Sequence, residues 1–222
     1  MCTIGNTISP ATQAALTSFH SAGGSVFIAT GRGVTAATEV VDKYLPGIIQ
    51  YCVCMDGACV VQAPNWDIIF DAGFRGEEVS RLLSNIQAEI PGCCFGALPL
   101  MGHDSDVVSA QGYVDLVGAS DSDMAAGILA RGEGPRVSAD FIAEMAATDT
   151  MGWVRVLHAD GDQEALLAAL APIVARENEL HGSGVVAGAS IISGGVMLRR
   201  GTTNKSVGLA HMAEKLGIAP VR

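Results

Sequence analysis

The segment from Val26 to Arg32 has the residue types of an anion-binding turn. Four apolar residues are followed directly by Thr30, Gly31 and Arg32, and a stretch with helical spacing begins at Val34. A strand that ends in this way presents a hydroxyl group, free backbone N–H groups and a helix N-terminus at one edge of a sheet. These groups suit a negatively charged ligand, most often a phosphate. The sequence therefore predicts a phosphate site at Thr30 and Gly31.

The same segment also satisfies a pattern that is typical of dinucleotide-binding proteins. Residues 31–36 read Gly-Arg-Gly-Val-Thr-Ala, which gives the spacing G-x-G-x-x-A between a strand and a helix. Asp56 ends the next strand at about the distance expected of an acidic residue that binds a ribose hydroxyl. A dinucleotide-binding Rossmann fragment is therefore an alternative, although it gives no function to the region around Asn204 and Lys205.

Composition disfavours several other classes of function. The 222 residues carry a net charge of −10 and no basic cluster larger than Arg199 and Arg200, so a face for nucleic acid is missing. No apolar run reaches the roughly 20 residues of a membrane helix, and the first residues do not resemble a secretory signal. The six cysteines lack the spacing of zinc ligands. We therefore expect a cytoplasmic protein that binds neither nucleic acid nor membranes and has no metal ligands.

The elements around Thr30 predict an α/β fold. Ser9 and Pro10 begin a helix that Gly23 and Gly24 end. A buried strand at 25–29, a helix at 35–45 and a second buried strand at 48–55 follow, which is the order of a βαβ unit. Asp56 and Gly57 are a strong turn signal, and they return the chain into a third strand at 58–62.

The pattern changes at about residue 63, where shorter and more glycine-rich segments begin. The spacing of apolar residues predicts helices at 76–90, 121–130, 138–147, 162–176 and 205–217, and strands at 153–158, 185–192 and 195–199. We therefore predict a core formed by residues 1–62 and 186–222, with an inserted α+β domain formed by residues 63–185. The predicted fold class is α/β, with an incomplete Rossmann-like parallel sheet.

Four segments, taken in order, resemble the Cof-type sugar phosphatases of the haloacid dehalogenase-like (HAD) superfamily. The first is the helix that begins at 8–12 and ends at 23–24, and the second is Ile-Ala-Thr-Gly-Arg at 28–32. The third is Asp-Gly-Ala at 56–58, where the family usually has Asn-Gly-Ala. The fourth is Thr-Asn-Lys-Ser at 203–206, followed by Leu-Gly-Ile at 216–218. The resemblance therefore spans most of the chain.

The resemblance implies a HAD-like core with an inserted cap domain. It also implies hydrolysis of small phosphorylated metabolites, such as sugar phosphates, through an aspartyl-phosphate with Mg²⁺ as cofactor. The Thr30 hydroxyl and the Gly31 N–H would hold phosphate oxygens, and Lys205 would neutralise the charge that gathers on the nucleophile and the phosphate. The residues at the substrate entrance would be Arg32, Asp56, Gly57 and Asn204.

The sequence departs from the family pattern at the catalytic residues. The nucleophile motif Asp-x-Asp-x-Thr should stand just before Thr3, but the first aspartate of the sequence is Asp42. The motif that binds the metal should follow residues 219–220, and the sequence ends at Arg222. We therefore expect a chain truncated at both ends relative to the family, without the nucleophile, the general acid/base or the Mg²⁺ ligands.

The missing groups predict a loss of activity. Removing a covalent nucleophile and its partners lowers rates by roughly 10⁴ to 10⁶, so we expect no meaningful Mg²⁺-dependent phosphatase activity. The alternative function is a non-catalytic protein that binds a phosphorylated metabolite or a partner chain. In the family, the strand that carries the nucleophile lies beside the strand that corresponds to residues 25–29. Without that neighbouring strand, residues 25–29 would have an unpaired, apolar edge. We therefore also expect homo-oligomers that form through this edge.

Overall fold

The structure is a computed structural model that describes residues 7–100, 107–108, 136–138, 140–158, 160–189 and 195–218. The helices and strands are, in chain order, α1 (Pro10–Ser21), β1 (Val26–Ala29), α2 (Val34–Tyr44), β2 (Ile49–Cys54), β3 (Cys59–Gln62), β4 (Asp67–Asp71), β5 (Phe74–Arg75), α3 (Gly76–Glu89), β6 (Cys93–Pro99), β7 (Val107–Val108), β8 (Arg136–Val137), α4 (Phe141–Ala146), β9 (Thr150–His158), α5 (Gln163–His181), β10 (Val185–Ala189), β11 (Val196–Arg200) and α6 (Lys205–Lys215). They form two compact units, Met1–Ala72 with Thr203–Arg222, and Gly73–Thr202. The helix predicted at 121–130 lies outside the described residues.

The first unit contains a four-stranded sheet in the order β1-β2-β3-β4. β1 and β2 are parallel, whereas β2–β3 and β3–β4 are antiparallel. A parallel pair needs a crossover connection, and α2 provides it. A short 3₁₀ turn at Met55–Gly57 joins β2 to β3, where the sequence predicted a hairpin turn. The predicted α/β class, with a sheet that contains parallel strands, is confirmed.

The core of the first unit forms on both faces of its sheet. Met212 of α6 packs with Tyr51, Val53 and Val60, and all four side chains are buried. Residues alternate between the faces of a strand, so Cys52 and Cys54 lie on the opposite face from Tyr51 and Val53. α2 packs against β2 and buries Ala37, Thr38, Val40 and Val41. These contacts fix the ends of β1 and β2, from which the site is built.

β1 is less buried than its sequence predicted. Val26, Phe27 and Ile28 are half-buried, and Ala29 is exposed. Among the described residues, β1 is the last strand of its sheet and pairs only with β2, so one edge has no neighbouring strand to cover it. The prediction of a buried strand is therefore wrong, because burial depends on neighbours that local sequence does not reveal. An open edge favours association, but the predicted homo-oligomer stays a prediction.

The second unit contains a seven-stranded sheet in the order β10-β11-β9-β6-β7-β8, with β5 also paired to β9. β9 is buried from Thr150 to Leu157. α3 has its apolar residues at the helical spacing that the sequence predicted, and they pack with side chains of β6, β9 and α5. This core includes Leu82, Leu83, Ile86, Phe95, Val154, Val156 and Leu170. None of the helices within the described residues is long and apolar enough to cross a bilayer.

The boundaries of the units differ from the positions that the sequence suggested. β10 pairs with β11, and β11 pairs with β9, so these strands belong to the second unit, which ends at Thr202. β4 pairs with β3, so the first unit extends to Ala72 rather than ending at residue 62. The pairing of β11 with β9, which lie about 40 residues apart, leaves no local signal in the sequence, whereas β4 follows β3 directly in the chain and was not predicted.

The described cysteines differ in exposure, which predicts different reactivities. Cys52, Cys54 and Cys59 are buried, whereas Cys93 and Cys94 are half-buried. Burial and the neighbouring Cys94 raise the pKa of Cys93 to about 11, and burial also raises the pKa of Cys94. A hydrogen bond to Cys59 and burial raise the pKa of Cys54 further.

We expect a thiol reagent to label Cys94 and Cys93 in the folded protein, and Cys54 only after unfolding. The thiolate is the reactive form, so labelling of Cys93 should accelerate as the pH rises towards the pKa of its thiol. Mass spectrometry of peptides labelled with iodoacetamide, with and without urea, measures these rates. Labelling of Cys54 in the folded protein as fast as that of Cys94 would contradict the burial described above.

Candidate functional site

The turns that follow β1 and β2 are joined by backbone hydrogen bonds. The N–H of Thr30 donates to the carbonyl of Val53 at 2.9 Å, and the N–H of Asp56 donates to the carbonyl of Thr30 at 3.0 Å. The N–H of Met55 donates to the carbonyl of Arg32 at 2.9 Å. The segment 30–32 is therefore held against the segment 53–56 without the help of side chains.

The turn after β1 leads directly into α2. The hydroxyl of Thr30 accepts a hydrogen bond from the N–H of Arg32 at 3.1 Å, which bends the chain, and its own proton can be donated to a ligand. Gly33 stands at the N-cap of α2 and offers no side-chain hydrogen bond to the first turn. N–H groups at a helix start without a capping side chain, together with the helix dipole, attract anions.

The turn after β2 has an unusual backbone. Met55, Asp56 and Gly57 all have positive φ values, 51°, 53° and 96°. A positive φ is uncommon for a residue with a side chain, and such strain often occurs at functional sites. It brings the carboxylate of Asp56 against the backbone of Gly31, where an added Cβ would lie 3.1 Å from Oδ2 and 3.2 Å from Oδ1. Gly31 therefore allows Asp56 to approach closely.

The N-terminus of α6 meets the same turn. Asn204 is the N-cap, and its side chain accepts a hydrogen bond from the N–H of Val207 at 3.1 Å. A Cβ added to Gly57 would lie 2.0 Å from the carbonyl oxygen of Asn204, so the two backbones are in direct contact. Lys205, the first residue of the helix, extends its ammonium group to 3.1 Å from Oδ1 of Asp56.

The predicted site residues are thus brought together on one side of the first unit. Asp56 is in contact with both Gly31 and Lys205, and its N–H is bonded to Thr30. The carbonyl of Arg32 also belongs to this backbone network. The turn after β1, the turn after β2 and the N-terminus of α6 therefore meet here, and the ammonium group of Lys205 is paired with the one carboxylate among them. The individual roles assigned to these residues stay predictions.

The ion pair between Asp56 and Lys205 is the feature that the sequence analysis missed. The two residues are far apart in the chain, and the turn and the helix were predicted separately. One signal was present, because the chain has Asp where the family pattern has Asn. The side chains of Lys205 and Asp56 are 50% and 38% exposed, so water weakens their attraction. Pairs of this kind contribute at most about 1 kcal/mol to stability.

The described residues of this site do not fit a Mg²⁺ ion. Mg²⁺ is bound by carboxylate oxygens together with water or phosphate. Asp56 is the single carboxylate among the predicted site residues, and it is paired with Lys205. Across the described part of the chain, no group of three or more His, Cys, Asp or Glu side chains could hold a metal ion. We therefore derive no step through a metal for these residues.

Comparison with known proteins finds one matching family and several solved structures with a similar fold. The family of haloacid dehalogenase-like hydrolases matches residues 1–108. A search of the curated protein sequences gave no significant match. Three solved structures illustrate the similarity of fold. A HAD phosphatase from Bacteroides thetaiotaomicron has a TM-score of 0.65 and 16% identity, over 98% of this chain and 69% of its own.

The other two structures give similar values. A protein from Thermotoga maritima has a TM-score of 0.70 and 14% identity, over 97% of this chain and 71% of its own. A sugar phosphatase of HAD subclass IIB has a TM-score of 0.60 and 15% identity, over 96% of this chain and 70% of its own. Residues 1–108 therefore resemble the haloacid dehalogenase-like hydrolases, and the chain shares its fold with these three solved structures.

Proposed function

We propose that this chain binds the phosphate group of a small phosphorylated metabolite at Thr30, Gly31 and Lys205. The observation that carries the proposal is the position of the Asp56 carboxylate, because an anionic group already lies between Gly31 and the ammonium of Lys205. A phosphate could be bound by the same cation and by the N–H groups at the start of α2. The sugar phosphatase among the similar structures supports sugar phosphates as the class of ligand.

We further propose that the polypeptide of residues 1–222 binds phosphate esters without hydrolysing them. In the HAD mechanism the nucleophile is an aspartate, and no aspartate precedes Asp42 in this sequence. Thr30 and Lys205 can bind and stabilise charge, but they do not replace that nucleophile or a metal ion. We also propose that the unit Gly73–Thr202 corresponds to the cap domain of the family.

Substitution of Lys205 tests the binding proposal. We expect Lys205→Met to weaken the binding of glucose 6-phosphate at least tenfold, because hydrogen bonds to charged groups are worth about 1.5–3 kcal/mol. Isothermal titration calorimetry measures this, with glucose as the ligand that lacks a phosphate. Lys215→Met is the matched control, since Lys215 is the last residue of the same helix. Equal affinities of Lys205→Met and the unchanged protein would refute the site.

The unchanged protein tests two other possibilities, which are hydrolysis of a phosphate ester and binding of a dinucleotide. We expect no release of phosphate from p-nitrophenyl phosphate with Mg²⁺ present, and Mg²⁺-dependent release would overturn the proposal of binding without hydrolysis. Saturable binding of NADH that inorganic phosphate does not displace would favour the dinucleotide alternative. Displacement of glucose 6-phosphate by inorganic phosphate would favour the proposed phosphate site.

A further inference from the structure

We propose that Asp56 is an internal anion that competes with the bound phosphate for Lys205 and so sets the affinity of the site. This inference rests on the proposed function, because it assumes that phosphate binds beside Gly31 and Lys205. It assigns to Asp56 a direct effect on ligand affinity, in addition to its place in the turn between β2 and β3.

The position of the carboxylate is the first observation. Its Oδ1 lies 3.1 Å from Nζ of Lys205, and its two oxygens lie 3.1 and 3.2 Å from the position that a Cβ on Gly31 would occupy. These are the groups that a phosphate would use. A phosphate that binds there must either displace the carboxylate from the ammonium group or remain next to a second negative charge. Both outcomes weaken its binding.

The turn does not need the ion pair to keep its shape. Backbone hydrogen bonds from Met55 to Arg32, from Asp56 to Thr30 and from Ala58 to Met55 already fix the residues around the carboxylate. The exposed pair adds little stability of its own. The charge of Asp56 can therefore be removed while the turn keeps its backbone bonds. Asparagine suits this position, because it has the same size and tolerates a positive φ.

Simple electrostatics gives the size of the effect. Two unit charges about 4 Å apart in water repel each other enough to change an affinity by about fivefold, and partial exclusion of water increases the effect. Removal of the Asp56 charge also leaves the full charge of Lys205 to the ligand. We therefore expect the loss of this carboxylate to tighten phosphate binding by about five- to tenfold at low ionic strength, and by less at high salt.

The test compares Asp56→Asn with the unchanged protein in titrations with inorganic phosphate. Asp67→Asn is the matched control, because it removes the same charge at a different place in the sheet. Asp67 begins β4 and pairs with Gln62 at one end of β3, whereas the turn that contains Asp56 leads into Cys59 at the other end of β3. We expect tighter binding for Asp56→Asn and no change for Asp67→Asn. Asp56→Gly, which also removes the carboxylate and tolerates a positive φ, serves as a second variant should Asp56→Asn fail to fold.

The outcomes separate this inference from the proposed function. If the unchanged protein binds phosphate through Lys205 and Asp56→Asn binds equally well or more weakly, the inference is overturned while the phosphate site stands. If neither the unchanged protein nor the variants bind phosphate, the proposed function itself fails, and the inference fails with it. Binding that is detected only after the loss of Asp56 would support the inference about Asp56 but overturn the proposal that the unchanged chain binds phosphate.

Discussion

Replacement of Arg81 by methionine should destabilise the second unit by about 2–3 kcal/mol, below the range for a fully buried ion pair because the Arg81 side chain is 36% exposed. The side chain of Glu177 is 1% exposed. It accepts hydrogen bonds from Nε and Nη2 of Arg81 at 2.9 and 2.6 Å, and from the hydroxyl of Ser183 at 3.2 Å. Without Arg81, a buried carboxylate would keep, among the described residues, only the bond to Ser183. Urea unfolding followed by the fluorescence of the buried Trp153 measures the loss.

Two comparisons isolate the buried charge as the cause. Arg176 pairs with Glu89 between the same two helices, but both side chains are about half exposed, so Arg176→Met should cost less than about 1 kcal/mol. The double variant Arg81→Met/Glu177→Leu should recover part of the stability, because the unpaired carboxylate is gone. Similar costs for Arg81→Met and Arg176→Met would show that the burial of Glu177 does not matter.

Replacement of Gly57 by alanine should destabilise the first unit by roughly 2–4 kcal/mol and displace the start of α6. Gly57 has a φ of 96°, and an added Cβ would lie 2.0 Å from the carbonyl oxygen of Asn204. A contact this short forces the backbone to move, and strain of this kind is among the few causes of large effects from one substitution. The unfolding midpoint in urea, followed by circular dichroism, measures the change.

Gly23→Ala is the matched control for this prediction. Gly23 has a φ of 88°, close to that of Gly57, but a Cβ added there would meet no atom of the described residues within 4 Å. This control therefore measures the cost of the backbone conformation alone, which is about 1 kcal/mol. Equal destabilisation by both substitutions would mean that the contact between Gly57 and Asn204 is absent, and with it the reason for the position of Lys205.

Local sequence signals were sufficient for most helix starts and turns. Asp162 was predicted to lead into a helix, and its side chain caps α5 by accepting a hydrogen bond from the N–H of Ala165 at 2.9 Å. The end of α5 was predicted at Arg176, but the helix continues to His181 and stops where Gly182 adopts a φ of 62°. The capping chemistry at both ends of this helix lies within a few residues, but only the start was predicted correctly, because the glycine signal at residue 182 was missed.

Features that depend on distant pairing could not be predicted in the same way. The membership of β10 and β11 in the second unit depends on the pairing of β11 with β9. The contact between Asp56 and Lys205 requires the turn after β2 and the start of α6 to meet. The motifs predicted a set of site residues, which stays a prediction, but they did not predict that two of these residues would form an ion pair.

The most direct test of the phosphate site is a titration of the ¹⁵N-labelled chain with inorganic phosphate, followed by nuclear magnetic resonance. The account predicts saturable shifts of the amide resonances of Gly31, Arg32 and Lys205, with one dissociation constant, and loss of these shifts in Lys205→Met. A groove lined by His20, Gly24 and Tyr51 lies at the opposite end of β1. Shifts confined to that groove, or no saturable shift at Gly31, would contradict the account.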